Sequence, residues 1–239
     1  MNTEQFDKKH PIKKFKPKRP LILDIDDVVL NSCEAIVEII NERYNLSPKI
    51  IVDNIKDWDF TYFTRRIQKE NKTSLTKEDY LKLFESVEFW EKVQFKEGIM
   101  DILFEPKIRD YFKITLVSTG TQNNLEAKEK FLFKQLDMTD INFIGLPLDL
   151  KNPQYNKKEI DNFMLTFGGI QVNDRYKCLN TNAKLKVLLK NNKETTYNQV
   201  LDMREDLYVV NDLKELKEIL MFIIEADDEY FKDFPCILK

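Results

Sequence analysis

Asp24 and Asp26 stand two residues apart at the end of the apolar run Leu21-Ile22-Leu23. Side chains two apart on an extended backbone point to the same side, so both carboxylates can face one site. Ser118-Thr119 closes a second apolar run, Ile114-Thr115-Leu116-Val117, and the Gly120 that follows lets the backbone turn closely around a ligand. Asn173-Asp174 closes a third, Ile170-Gln171-Val172, and upstream of it Lys157-Lys158 opens a helical pattern. Converging carboxylates repel unless a cation lies between them, and a few hard oxygen donors suit Mg²⁺. An aspartate can attack phosphorus, a second carboxylate can move the proton of the leaving or attacking oxygen, and a hydroxyl with an ammonium can hold the remaining phosphate oxygens. Each piece alone has a plainer explanation as a helix cap, a solvated turn or a surface charge. It is their joint order along the chain that points to one site.

What the chain lacks narrows the chemistry further. It has 239 residues and a single histidine, His10, in a polar N-terminal stretch, which excludes a Ser-His-Asp triad, a Cys-His pair and a multi-histidine zinc site. Five glycines leave no glycine-rich dinucleotide or Walker-type loop. Cys33, Cys178 and Cys236 are widely spaced, odd in number and without a CxxC pair, which fits reduced thiols in a cytoplasmic chain. The 38 basic and 41 acidic residues nearly balance, which speaks against a nucleic-acid partner. No apolar run is long enough to cross a bilayer, so no membrane association is expected.

The elements that must position these residues follow from periodicity. Residues 1–19 read as a basic, flexible tail, rich in lysine and proline. Apolar runs at 21–23, 114–117, 142–145, 170–172, 187–189 and 208–210 predict strands. Helical spacing predicts helices from residue 31 onward, over 99–110, 123–136, 157–167 and 211–225. Strands separated by helices imply an α/β fold with a parallel sheet flanked by helices, Rossmann-like in its winding. The stretch between the first two strands is too long for a simple crossover and is mostly helical, so it reads as an inserted cap. The expected division is a core of 20–32 and 97–239, and a helical cap of 33–96.

Asp24-Ile25-Asp26-Asp27-Val28-Val29 resembles motif I of the haloacid-dehalogenase-like phosphatases, aspartate-x-aspartate-x-threonine/valine. The resemblance implies that Asp24 is the nucleophile and Asp26 the general acid/base. It makes Ser118, with Thr119, the phosphate-binding hydroxyl group and Asp174 a metal carboxylate, with Mg²⁺ held by Asp24, Asp26 and Asp174. The phosphate-binding lysine is Lys157 by preference, since Ile160 and Met164 follow it at helical spacing, with Lys158 as the alternative. Within that superfamily the layout is similar to the 5'(3')-deoxyribonucleotidases and their bacterial and phage relatives, which carry a small helical cap and an aromatic segment before a glycine, as in Phe89 to Gly98. That implies an enzyme hydrolysing nucleoside monophosphates, with Phe60, Phe63, Phe89 and Trp90 as residues that could stack on the base. The alternatives are a phosphatase on nucleic-acid 3' ends or another small phosphoester, and a silent relative that binds a nucleotide or protein. A homodimer stays open. Three departures stand out: Asn173 replaces a frequent aspartate, Asp27 a glycine, and Ser118-Thr119-Gly120 a threonine-serine-proline.

Overall fold

A computed structural model describes residues 18–56, 61–71, 75–148, 168–179, 181–191, 193, 195–200 and 204–226. Six strands form one parallel sheet: β1 (Arg19–Asp24), β2 (Phe112–Gly120), β3 (Ile141–Pro147), β4 (Ile170–Asn173), β5 (Leu185–Leu189) and β6 (Leu207–Val210), in the order β3-β2-β1-β4-β5-β6. All six expected strands are present. β1 begins at Arg19, inside the stretch read as tail, while residues 1–17 lie outside the described part. The expected helix over 157–167 lies outside it too. The near-continuous apolar character of the strands is what a sheet covered on both faces requires: Leu21 and Leu23 of β1, Ile114 and Leu116 of β2, and Val187 and Leu189 of β5 are wholly buried.

Helices cover the sheet. Helix α1 (Ser32–Arg43) follows β1, and the stretch up to β2 carries a 3₁₀ turn (Val52–Asn54), α2 (Thr61–Asn71), α3 (Lys77–Leu83) and α4 (Val87–Lys92). Thr76 caps α3 by a reciprocal box with Asp79, and Ser86 caps α4 by accepting from the Phe89 amide. The single helix expected over 99–110 is two, α5 (Ile99–Leu103) and α6 (Pro106–Tyr111). Pro106 has no amide to donate and bars its predecessor from helical geometry, so it starts a new helix at its own first position. After β2 comes α7 (Gln122–Gln135), and α8 (Leu213–Glu225), capped by Asp212, closes the described chain. No helix among the described residues is long and apolar enough to cross a membrane.

The chain winds outward from β1 through β2 to β3, then returns to lay β4 on the other side of β1. The winding reverses between β1 and β4, and in open α/β sheets the crevice beyond the strand ends at such a point is where ligands bind. Asp24 ends β1, and Asp174 follows the last residue of β4.

Candidate active site

The turn after β1 is built from the apolar half of its own sequence. Ile25, Val28, Val29 and Leu30 are all fully buried, and the amides of Val29 and Leu30 both donate to the Ile25 carbonyl at 2.9 Å. Leu30 pairs with Phe95 in an isolated bridge, and the Asn31 amide donates to the Gln94 carbonyl at 2.9 Å. These anchors fold the backbone back on itself and leave Asp24, Asp26 and Asp27 partly exposed beside it.

Asp26 is the hub. Its Oδ1 accepts from the Ser32 hydroxyl at 2.7 Å, at the start of α1. Its Oδ2 accepts from Lys128 Nζ at 2.5 Å and from the Ser118 hydroxyl at 3.3 Å, and Lys128 Nζ also donates to Ser118 Oγ at 2.7 Å. Ser118 and Lys128 are each 1 % exposed. The β1–β2 register sets Asp24 opposite Val117, so Ser118 lies one residue beyond it on the neighbouring strand. Thr119, next along β2, makes none of these bonds; its hydroxyl is buried and has no hydrogen-bond partner among the described residues.

Lys128 is the residue that the sequence reading misses, although a signal for it exists. On α7 it lies three residues after Leu125 and four before Leu132, both buried, so a lysine sits on the inward stripe of an amphipathic helix. A lysine there must find an acceptor, because a buried ammonium without one is costly. A Cβ at Gly120 would stand 2.5 Å from Asn124 Oδ1, so a larger residue there would require that side chain at the start of α7 to shift. Ser32, the first residue of the helix after motif I, is missed as well. Lys157 and Lys158 lie outside the described residues.

On the other side of β1, Leu23 pairs with Val172, so Asp24 stands beside Asn173 and Asp174 follows. The Asn173 side chain accepts from the Arg175 amide at 2.9 Å, so it shapes the turn that presents Asp174, itself 2 % exposed. Asp27 occupies a left-handed conformation, φ 59°, which aspartate visits more readily than most residues with a Cβ. Its carboxylate accepts from the Cys33 amide at 3.0 Å, and its carbonyl from Asn191 Nδ2 at 2.9 Å. Burial pushes the Asp27 carboxyl up to about 6, although that amide and the charge of Lys96 pull the other way. Burial, with the nearby Asp27 charge, also drives the Cys33 thiol far above its ordinary value, so it is no thiolate nucleophile.

The expected metal ligands are Asp24 at the end of β1, Asp26 in the turn after it and Asp174 just after β4. Among the described residues no three acidic, histidine or cysteine side chains come together as ion ligands. Both oxygens of Asp26 already accept hydrogen bonds, which makes its side chain the least available of the three. Asp24 and Asp174 remain, on neighbouring strand ends, and two carboxylates fit Mg²⁺, which is held by one or two carboxylates and keeps several waters.

The stacking role expected for the aromatics is corrected for two of them. Phe63 and Phe89 are 2 % and 0 % exposed. They belong to a chain of ring contacts: Phe63 on Tyr80 at 5.7 Å, Tyr80 on Phe84 at 5.5 Å, Phe84 on Phe89 at 5.2 Å and Phe89 on Trp90 at 5.0 Å. Trp90 is partly exposed and packs on Phe131 of α7 at 5.4 Å. This is interior packing, which keeps both phenylalanine rings from a base. Phe60 lies outside the described residues.

No family model matches the chain, and no curated protein does. Solved structures do. The HAD-hydrolase candidate YfnB of Bacillus subtilis, bound to magnesium, superposes with a TM-score of 0.53 at 14% identity, over 86% of this chain and 99% of that one. A predicted phosphatase from Clostridium acetobutylicum gives 0.53 at 16%, over 86% and 100%. A HAD family hydrolase from Deinococcus radiodurans with bound phosphate and sodium gives 0.51 at 12%, over 90% and 97%. The fold is that of the haloacid-dehalogenase hydrolases. At such identities the likeness speaks for the fold, and the chemistry must be argued from the residues.

Proposed function

We propose that the protein is a Mg²⁺-dependent phosphomonoester hydrolase that works through an aspartyl-phosphate on Asp24, with nucleoside monophosphates as its substrates. The observation that carries the phosphatase reading is the constellation of Asp26, Ser118 and Lys128 beside Asp24, at the reversal of the sheet. The nucleotide part rests on motif layout, and with it the division into a core of 20–32 and 97–239 and a cap of 33–96.

The Asp24 carboxylate attacks phosphorus as the bond to the leaving oxygen breaks, and water then cleaves the acyl-phosphate. Lys128 and Ser118 hold Asp26 Oδ2. A phosphate dianion at Asp24 competes for the same two donors. As they turn to its oxygens, Asp26 loses two groups that favour its charged form and binds a proton more readily. It can then give that proton to the leaving oxygen and recover one from the attacking water. Ser32, bonded to the other oxygen, keeps the carboxyl in place through both steps. Lys128 here is the phosphate-binding ammonium. Asp24 and Asp174 would hold Mg²⁺, whose charge offsets the repulsion between carboxylate and phosphate.

The test is phosphate release from nucleoside monophosphates, sugar phosphates, 3'-phosphorylated oligonucleotides and p-nitrophenyl phosphate, with and without chelator. Mg²⁺-dependent release, highest for nucleotides and lost in Asp24→Asn, is the expected result. Undiminished turnover by folded Asp24→Asn would overturn the mechanism, and a best substrate outside the nucleotides would overturn the substrate class.

A further inference from the structure

Two lysines near the turn after β1, Lys96 and Lys193, take no part in the mechanism above. Lys96 is fixed to the turn after motif I, since its amide donates to the Val29 carbonyl at 2.9 Å. Lys193 sits in the segment after β5, where its amide donates to the Lys190 carbonyl at 3.0 Å. That segment is tied to the same turn by Asn191, whose side chain reaches the Asp27 carbonyl at 2.9 Å. Two different parts of the chain that carry a lysine are thus tied to one turn, and both lysines are partly buried.

The two charges feel each other as well as their surroundings. Burial pulls the Lys96 ammonium below its ordinary value, and Lys193 pulls it in the same direction, while Asp27, Glu34 and Asp174 act against them. Yet neither ammonium forms a hydrogen bond or ion pair among the described residues. The two fully buried lysines there are both bonded, Lys128 to Asp26 and Lys186 to Asp206 and the Ala183 carbonyl. Holding two like charges together without direct partners is unfavourable, and a dianion between them would relieve it. Asp174 lies within the field of Lys96, so such an anion would sit beside the reaction centre and apart from the Ser118–Lys128 pair.

We propose that Lys96 and Lys193 form a second anion subsite that takes a further phosphate of the substrate, so that nucleotides with two separate phosphates, such as nucleoside 3',5'-bisphosphates, are preferred. This rests on the phosphatase reading and narrows its substrate class. One phosphate is cleaved at Asp24; the other is held by the two lysines and remains on the product.

The experiment compares kcat/KM for a nucleoside 3',5'-bisphosphate and the 5'-monophosphate of the same base. In the wild type the ratio should be about tenfold or more, as expected for charge-assisted bonds to a phosphate. It should fall toward one in Lys96→Met and Lys193→Met and survive in Lys96→Arg, with circular dichroism checking the fold; Lys96→Gln replaces any methionine variant that fails to fold. A wild-type ratio near one, or a ratio kept in the neutral variants, would overturn the subsite. If the protein hydrolyses no phosphomonoester at all, the phosphatase reading has failed. Calorimetric titration with the same two nucleotides then decides the subsite separately. The bisphosphate should bind about tenfold more tightly than the monophosphate and lose that margin in Lys96→Met. Equal affinities would refute it.

Discussion

Asp26 and Lys128 illustrate how a buried charge pair can serve chemistry and still be a liability for folding. The lysine is 1 % exposed, and the carboxylate and Ser118 Oγ are the hydrogen-bond acceptors of its ammonium. Removing one partner strands the other, which typically costs about 3–5 kcal/mol, while removing both together costs far less. Asp26→Asn and Lys128→Met should therefore each lower the urea midpoint strongly, and the double variant should recover much of the loss. Activity should behave otherwise: Lys128→Met is expected to lose about a hundredfold or more in kcat, and the double variant to regain none of it. Strict additivity of the two stability losses would mean that the pair is not coupled in the folded protein. Recovery of turnover in the double variant would remove Lys128 from the reaction.

At the scale of elements, the strands are legible in the sequence because each is an apolar run closed by polar residues, and burial on both faces enforces that pattern. The broken helix at Pro106 and the inward lysine of α7 are just as visible in principle; both need periodicity to be applied residue by residue. Phe63 and Phe89 turn inward although ring-rich spacing looks the same whether the rings meet each other or a ligand, and only packing distinguishes the two. The turn after β1 is legible as a motif but not as a backbone, so the left-handed Asp27 emerges only from the fold. A carboxyl raised to about 6 from 3.8 holds its proton in the folded state across a range where the unfolded chain has lost it. The folded state then binds more protons than the unfolded one, so this group makes stability fall as pH rises from about 4 to about 6 and level off above. An asparagine at this position would keep the acceptor for the Cys33 amide and tolerate the left-handed region, but it cannot ionise. Asp27→Asn should thus match the wild type near pH 4 and exceed it by about 1–2 kcal/mol above pH 6, since Asp27 keeps some exposure to solvent. Parallel stability curves from urea unfolding across that range would refute it.

For the whole molecule, the decisive feature is where the sheet reverses. Asp24 and Asp174 come from strands far apart in sequence that the winding makes neighbours, so their like charges are brought together only by folding. An ion that binds both binds the folded state and not the unfolded chain, and it stabilises by mass action. With Mg²⁺ at about a hundred times its Kd the gain is about 2.7 kcal/mol, which for a chain of this size raises Tm by roughly 5–10 °C. The comparison must be made at constant ionic strength, because added salt also screens the surrounding charges. Asp24→Asn and Asp174→Asn should each abolish most of the increment. Asp26→Asn separates the two ways of building the site. If the Asp26 side chain were a third ligand, its loss would remove the increment as well. Its oxygens already accept from Ser32, Ser118 and Lys128, and with the ion proposed on Asp24 and Asp174 the variant should melt lower at every Mg²⁺ concentration yet show the same rise on adding the ion. Chelator should return each protein to its own metal-free Tm. A rise lost in Asp26→Asn and kept in Asp174→Asn would reverse the assignment and move the metal to the β2 side of Asp24.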